Sequence, residues 1–546
     1  MAFIVKKNIN GNEYYYLNEN KRVNGKVKTK TLAYLGKNKK QADKKAKEII
    51  KKMNSNDKKE NRLLKSKDIS INDLAVFCKR KGFVYLSGEI YGGLAGFFDY
   101  GHLGVELKNN LKQDWWKFHV RDREDIVGID GSIVTNPKVW EASGHVEGFN
   151  VNDILVKCKK CKKESKADRF EIGKVKCEFC GGDIDWDKAK AVEQMFKLNV
   201  GIDGYAYLRP ETAQLIFVNF KFVQENARMK LPFGIAQIGK SFRNEIAPRN
   251  FLFRLREFEQ MEIEYFVNPE KKCPYKIGNT EVLIYSEKMQ SENKNSKKMK
   301  IKDAFEKGII KTDWHAYWLE QEFLWFVSLG ANPEKFRLRQ HVSDEKSHYA
   351  VDTWDLEYNF PFGWKELQGM ANRGDFDLKQ HMKYSKKDLS IFDEDSKKKI
   401  VPHVICEPSQ GVERALLVFL FDSYSENEKE EIVLKLHPKL APIKAAIFPI
   451  IKKKEFEKIA ENIFDDLKKE WNVLYDKSGS IGRRYARNDE IGTPFCITVD
   501  EKSLKNKDVT IRNRDTTEQI RIKISELKNV LRKLINQEIK FEKIKK

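Results

Sequence analysis

The chain has 546 residues, 40% of them hydrophobic, and carries 103 Lys+Arg against 81 Asp+Glu for a net charge of +22. That length predicts roughly three to four domains with substantial cores. No apolar run reaches about 18 residues, which excludes a membrane-spanning helix, and the opening MAFIVKKNING lacks a signal-like apolar stretch. The expectation is a soluble, cytoplasmic protein with no membrane partner. The basic balance predicts attraction to a polyanion, RNA or DNA first, although a lysine-rich proteome would give the same balance.

In chain order, residues 1–66 read as a small basic β unit followed by a helix and a linker. Ile4-Val5, Tyr14–Leu17 and Val27–Leu32 are strand-like, separated by the turn pairs Asn10-Gly11 and Asn24-Gly25. A Lys-rich stretch from about Lys39 to Met53 has helical character, and the polar run after it reads as a linker. This unit is either an RNA-binding appendage or a solubilising extension. Residues 67–435 form the largest block. It mixes β runs such as FGIAQIGKSF and FEQMEIEYF with helical ones such as ERALLVFLFDSY. Two stretches look inserted, a Cys-rich one at about 150–190 and a polar one at about 268–310. Residues 436–546 alternate strand and helix and predict a small α/β domain with a mixed sheet.

The eight cysteines suggest a reduced compartment rather than a disulfide framework. Four of them, Cys158, Cys161, Cys177 and Cys180, form C-x2-C-x15-C-x2-C, the spacing of a zinc ribbon. A closed four-cysteine structural site is expected, with zinc the first candidate and iron the second.

Phe242-Arg243-Asn244-Glu245, an arginine-bearing loop, and Phe253 to Glu262 read as a hairpin. The period of two puts Glu257 and Glu259 on one face and Glu262 and Glu264 on the other. The apolar partners Phe258, Met261, Ile263 and Phe266 mark the strand as covered. Carboxylates and arginines together on covered strands suit a ligand with cationic and anionic parts, such as an amino acid plus ATP.

This hairpin resembles motif 2 of class II aminoacyl-tRNA synthetases. Gly411-Val412-Glu413-Arg414, opening an apolar helix, resembles motif 3. Gly104 to Phe118, with the strand before Asn136-Pro137, resembles motif 1. Longer segments are similar to the homodimeric glycyl-tRNA synthetase family: Glu89–Gly96, Trp140–His145, Arg209–Gln214, Glu366-Leu367 with Gly369–Asp375, and Glu407-Pro408-Ser409. The resemblance covers about residues 68–546. It implies an α/β (α+β) fold with an antiparallel class II catalytic sheet, a zinc-ribbon insertion and a C-terminal anticodon-binding domain.

The resemblance implies a two-step reaction. Glycine and ATP give glycyl-adenylate, and the glycyl group then passes to the 3′ end of tRNA(Gly). It implies catalytic roles for Arg243, Arg414 and Glu366. ATP would be held by Arg243, Asn244, Glu245, Phe253, Arg254, Leu255, Arg256, Glu257, Phe258, Glu366, Leu367, Gly411, Val412, Glu413 and Arg414. The amino-acid substrate would be held by Lys166, Glu211, Phe258, Glu259, Gln260, Met261, Glu262, Glu407, Ser409 and Gly411. Within these sets, Arg243 would hold the α-phosphate, Arg414 the γ-phosphate, and Phe258 the adenine face. Glu211, Glu259 and Ser409 would bind the glycine ammonium. Glu366 and Glu407 are candidates for Mg2+, which prefers carboxylate and phosphate oxygens. Lys166 stands where the family usually has arginine, which keeps the charge and loses the fork. In the last domain, Arg483-Arg484-Tyr485-Ala486-Arg487 supplies charge and an aromatic for single-stranded bases. A class II synthetase of another specificity, and a catalytically inactive synthetase-like nucleic-acid-binding protein, stay open as alternatives.

Overall fold

A computed structural model of the chain describes residues 2–9, 12–23, 26–36, 39, 45 and 69–544, except 149–152, 169–171, 174, 178, 192–193, 346–351 and 428. It divides into two compact units, residues 1–66 with 425–430, and the remainder.

The first unit holds three antiparallel strands, Ala2–Ile9, Asn12–Val23 and Lys26–Gly36, in sequence order. The strand-like runs seen in the sequence fall inside these three. The two turn pairs lie outside the described residues, as does the lysine-rich stretch apart from Lys39 and Lys45.

The second unit is built on a nine-stranded sheet. Its order is Lys297–Lys300, Glu281–Tyr285, Phe336–Gln340, Thr353–Phe360, Gly363–Ala371, His403–Gly411, Glu257–Val267, Phe233–Phe242 and Ile126–Gly128. Neighbours are antiparallel except at two places, where Glu281–Tyr285 meets Phe336–Gln340 and where Phe233–Phe242 meets Ile126–Gly128. One face of this sheet is closed by the helix Asp313–Ser328, DWHAYWLEQEFLWFVS, which is apolar almost all round and accordingly buried. Trp318 and Trp325 from it, with Met261, Ile263 and Tyr265 from the sheet, form the largest core. A second helix, Ala213–Ala227, packs Phe217 and Phe220 against Phe233 and Phe266 on the other face. The site lies on this second face.

The stretch read as a polar insertion spans about 268–310. It supplies the outermost strands Glu281–Tyr285 and Lys297–Lys300. Within these two strands Val282 and Ile284 are the buried residues, so the apolar signal in them is two residues long. A short lysine-bearing strand is also how a sheet edge avoids pairing with other chains.

The helix expected from Gly104 runs over His102–Trp116 and continues as a π-helical turn, Lys117–Arg121. The strand before Pro137 is only Val134–Thr135, and it pairs with Gly204–Leu208, outside the central sheet. Asn136 caps the following helix through its side chain, with Pro137 at its first position.

The last domain has five strands in the order Val473–Tyr475, Ala445–Pro449, Phe495–Val499, Asp508–Asn513 and Gln519–Lys523. The first three are parallel and the last two antiparallel, giving the mixed sheet expected. The helices Lys454–Leu467 and Ile524–Ile535 bury Phe456, Ile463, Leu527 and Leu531 against it.

Candidate active site

Strands Phe233–Phe242 and Glu257–Val267 pair over ten consecutive positions. Their long loop returns over one end of a cleft of about 350 Å3. The cleft is lined by Glu211, Arg243, Glu245, Phe253, Arg254, Leu255, Phe258, Gln260, Glu262, Glu366, Leu367, Glu407, Ser409, Gly411, Glu413 and Arg414, all from the sequence sets. His341, Asp355, Gly369, Met370 and Arg373 are among the further residues that line it.

Arg243 and Arg414, both from the sequence sets, line it. Arg243 donates to the Pro210 carbonyl at 3.0 Å and sits 5.4 Å from the Phe258 ring centre. Arg414 donates to the Glu366 carbonyl at 3.0 Å, pairs with the Glu366 carboxylate at 3.2 Å, and lies 4.6 Å above Phe253. Each guanidinium is thus steered by a carbonyl and an aromatic face, which fixes its plane. Arg254 grips Glu245 through two nitrogens at 2.7 and 2.6 Å, tying the loop together.

The deep end is acidic. Arg373 binds both oxygens of Asp377, at 2.7 and 2.8 Å, and Glu407 at 2.8 Å. Glu211 accepts from Gln214 at 3.1 Å and faces His145 at 3.2 Å and Arg373 at 4.0 Å. Burial alone would raise the Glu211 carboxyl, but His145, Arg373 and Arg243 outweigh it and hold it well below the ordinary range. Glu407 goes the other way. Its burial, with Glu262 and Glu211 close by, lifts it to about 8 despite Arg373. Gln260 ties the floor together: its carbonyl accepts from the Thr212 amide at 3.1 Å and the Ser241 hydroxyl at 2.8 Å, and its amide reaches the Ser409 hydroxyl at 3.3 Å.

Several sequence expectations need correction. Glu259 does not line the cleft. It lies on the opposite face, bonded to Lys108 at 3.2 Å and Lys112 at 3.1 Å on the helix His102–Trp116. The period of two decides this: Phe258, Gln260 and Glu262 face the cleft, so their odd-numbered neighbours cannot. Met261 is fully buried in the core for the same reason. Glu257 pairs with Lys240. Asn244, Arg256 and Val412 also do not line the cleft; Arg256 is held by the carbonyls of Glu245 and Ala95, and Val412 is core. Glu413 touches the cleft but anchors elsewhere, accepting from Lys108 at 2.7 Å and the Glu259 amide at 2.9 Å. It joins the motif 1, 2 and 3 segments at one carboxylate.

Glu366 and Glu407 do not share one metal site. Glu407 stands opposite Ala371 and Glu366 opposite Glu357. Five residues along a strand separate the two by roughly 16 Å at about 3.3 Å per residue. The partner of Glu366 is Asp355, which sequence reading missed. A Cβ at Gly369 would lie 3.9 Å from an oxygen of each, so both carboxylates converge above that bare glycine. His341 holds Asp355 at 2.8 Å, and burial with Glu366 alongside still lifts Asp355 to about 6. An acid inside the otherwise aromatic and aliphatic strand TWDLEYNF was the available signal.

Of the basic helix proposed for RNA, Arg484 is buried against the carbonyls of Pro449 and Ile450, a structural role. Arg483 and Arg487 stay exposed, Arg487 pairing with Asp476. The Lys166 side chain lies outside the described residues.

The four ribbon cysteines converge. Cys158 and Cys180, and Cys161 and Cys177, each have sulfurs 3.6 Å apart, and all four lie within 4.8 Å of one another.

An antiparallel-rich sheet whose cleft is lined by arginines and several buried acids, followed by a mixed α/β domain, defines a class II aminoacyl-tRNA synthetase. Residues 196–423 match the tRNA synthetase class II core domain (G, H, P, S and T), residues 444–534 the anticodon binding domain, and residues 4–66 the N-terminal domain of the IS1634 family transposases. The chain is 41% identical over 495 residues to a glycine–tRNA ligase of Thermobifida fusca, covering 85% of this chain and 98% of that one. It is 45% identical over 493 residues to that of Acetivibrio thermocellus (84% and 97%), and 42% over 487 to that of Borreliella burgdorferi (87% and 100%). The fold is shared with a prolyl-tRNA synthetase structure from Cryptosporidium parvum, at TM-score 0.53 and 18% identity over 87% of this chain and 80% of that one. The chain belongs to the glycine–tRNA ligase family.

Proposed function

We infer that this cleft activates glycine with ATP and passes it to tRNA(Gly). The observation that carries the reading is one cleft lined by Arg243 and Arg414 together with the buried acids Glu211, Glu262 and Glu407. ATP lies with its α-phosphate at Arg243, its terminal phosphates toward Arg414 and its adenine against Phe258. Mg2+ fits the Asp355–Glu366 pair and supplies charge neutralisation of the phosphates. Glu211, Glu262, Glu407 and Ser409 receive the glycine ammonium, with Glu262 taking the place first given to Glu259. The glycine carboxylate attacks the α-phosphorus and pyrophosphate leaves; the ribose hydroxyl of the tRNA end then attacks the glycyl carbonyl, and AMP leaves. Arg243 stabilises the charge that grows on the α-phosphate.

Glycine offers no side chain to recognise, and a pocket that only holds a methylene discriminates by about 1–3 kcal/mol. Selection therefore rests on crowding at Cα by the acids, Ser409 and Gln260. Amino-acid-dependent ATP–pyrophosphate exchange tests the reading: strong exchange with glycine is expected and negligible exchange with alanine. Preference for alanine or threonine would overturn the specificity while leaving the class II chemistry.

The four-cysteine cluster fits zinc, four thiolate sulfurs being a closed structural set. Purified protein should carry one zinc per chain, and a Cys177→Ser variant with full metal content would refute that. Residues 1–66 hold 19 Lys+Arg against 6 Asp+Glu, more than half the excess charge of the chain. That concentration, with the transposase-domain likeness, favours phosphate contact over a solubilising role. Deleting residues 1–60 should leave adenylate formation intact and weaken tRNA binding, with a shallower salt dependence. Unchanged affinity and salt slope would favour the solubilising extension. The protein is expected to act as a homodimer in the cytoplasm; no described helix is long and apolar enough to cross a membrane.

A further inference from the structure

Beneath the acidic pocket lies a carboxyl group that the reaction as described does not use. Glu264 follows Glu262 by two positions on strand Glu257–Val267, so both side chains point to the cleft face. It is fully buried, and neither of its oxygens has a hydrogen-bond partner among the described residues. One oxygen from each of Glu262, Glu264 and Glu407 lies within 4.8 Å of the others. Across the sheet Glu264 is paired with Ile235, and the rings of Phe217 and Phe266 close the region behind.

We propose that Glu264 is a neutral carboxylic acid whose O–H donates to Glu407, a positioning residue that holds Glu407 toward the substrate ammonium. Three features of the cluster lead to this. A buried carboxylate with no donor costs far more than the same group carrying a proton. Three carboxylates this close cannot all ionise out of water. Finally, the neighbouring cation is already engaged: Arg373 binds Asp377 and Glu407. Of the two neighbouring acids, Glu407 acts on Glu264 more strongly than Glu262 does, which makes Glu407 the acceptor.

The charged and titratable groups facing the cluster are Arg373, Asp377 and Glu211, with His381 and His145 behind them and Cys406 on the adjoining strand. Burial first, and Glu407 next, push Glu264 well above the carboxyl range, in accord with a retained proton at neutral pH. The arrangement gives the floor one negative charge fewer.

The proposal rests on the glycine reading of this pocket, and the test separates the two. Infrared difference spectra of unliganded wild type against Glu264→Gln should show a protonated-carboxyl band that the variant lacks; this needs no substrate. In pyrophosphate exchange, Glu264→Gln keeps a donor and no charge, so its glycine KM should stay within about threefold of wild type. Glu264→Leu removes the donor and should raise it about tenfold, with the ATP KM unmoved. A missing band, a tenfold rise in the Gln variant, or an unaffected Leu variant would overturn the role of Glu264. Wild-type enzyme that fails to activate glycine would instead overturn the reading of the pocket. Should the Leu variant not fold, the band and the Gln variant still decide.

Discussion

Arg243→Ala is expected to lower kcat for adenylate formation by about 10²–10³, the usual loss of roughly 3 kcal/mol when one preorganised contact to developing charge is removed. Arg243 is held by the Pro210 carbonyl and lies near the Phe258 ring, so its position is set before ATP arrives. Its contribution grows as the α-phosphate gains charge, which places the effect on kcat rather than on the glycine KM. The fold should survive, because the side-chain hydrogen bond given up is the one to the Pro210 carbonyl. Single-turnover adenylate formation and pyrophosphate exchange check this. Exchange near the wild-type rate would show that the hairpin is not the phosphate-binding element.

The parts of the fold that were legible in the sequence are those where one local rule and one long-range requirement agree. The strand runs of residues 2–36, the arginine hairpin and the alternation after residue 440 all combine period-two patterning with turn or cap residues. The strand Gln519–Lys523 was missed because its alternation, QIRIK, is half charged and sits at a sheet edge. Helix Glu501–Asn506 was missed because it is short; the Asp500–Ser503 capping box defines it, not a hydrophobic stripe.

The site was legible in its residue types and less so in its geometry. Parity within one strand was enough to separate Glu259 from Glu262, and where that rule was set against the resemblance the rule held. Register between strands is different. It depends on bulges such as the one between Leu356 and Glu357, which no local pattern announces. That is why Glu366 was grouped with Glu407 and its neighbour Asp355 went unseen. Arg373 was quoted within a matching segment and given no role. Its function is to neutralise acids from elsewhere in the chain, and only the folded arrangement brings Glu211 and Glu407 to it.

That dependence makes Arg373 the residue whose loss should cost most. Arg373 is 3% exposed, holds Asp377 through two bonds and Glu407 through one, and helps keep Glu211 ionised. Arg373→Leu preserves bulk and removes the charge, leaving Asp377 and Glu407 buried without it. Breaking a buried pair from one side typically costs about 3–5 kcal/mol, so stability in urea should fall by that much at pH 7.5 and glycine activation should be lost. The pH dependence follows from the sign of the shifts. Without Arg373 the buried Glu407 binds its proton still more tightly folded than unfolded, so its penalty is greatest above both values and shrinks as pH falls toward the carboxyl range. Glu211 adds to this slightly, because the part of its lowering that Arg373 supplies stabilises the wild type above the ordinary carboxyl range and is lost in acid. The deficit of Arg373→Leu should therefore be large at pH 7.5 and smaller near pH 5. Adding Glu407→Gln should recover part of the stability at pH 7.5 without restoring activation, since the two side chains are in contact and their effects are not additive. A variant within about 1 kcal/mol of wild type at pH 7.5, or a deficit that grows as the pH falls, would mean that Asp377 and Glu407 do not depend on this guanidinium.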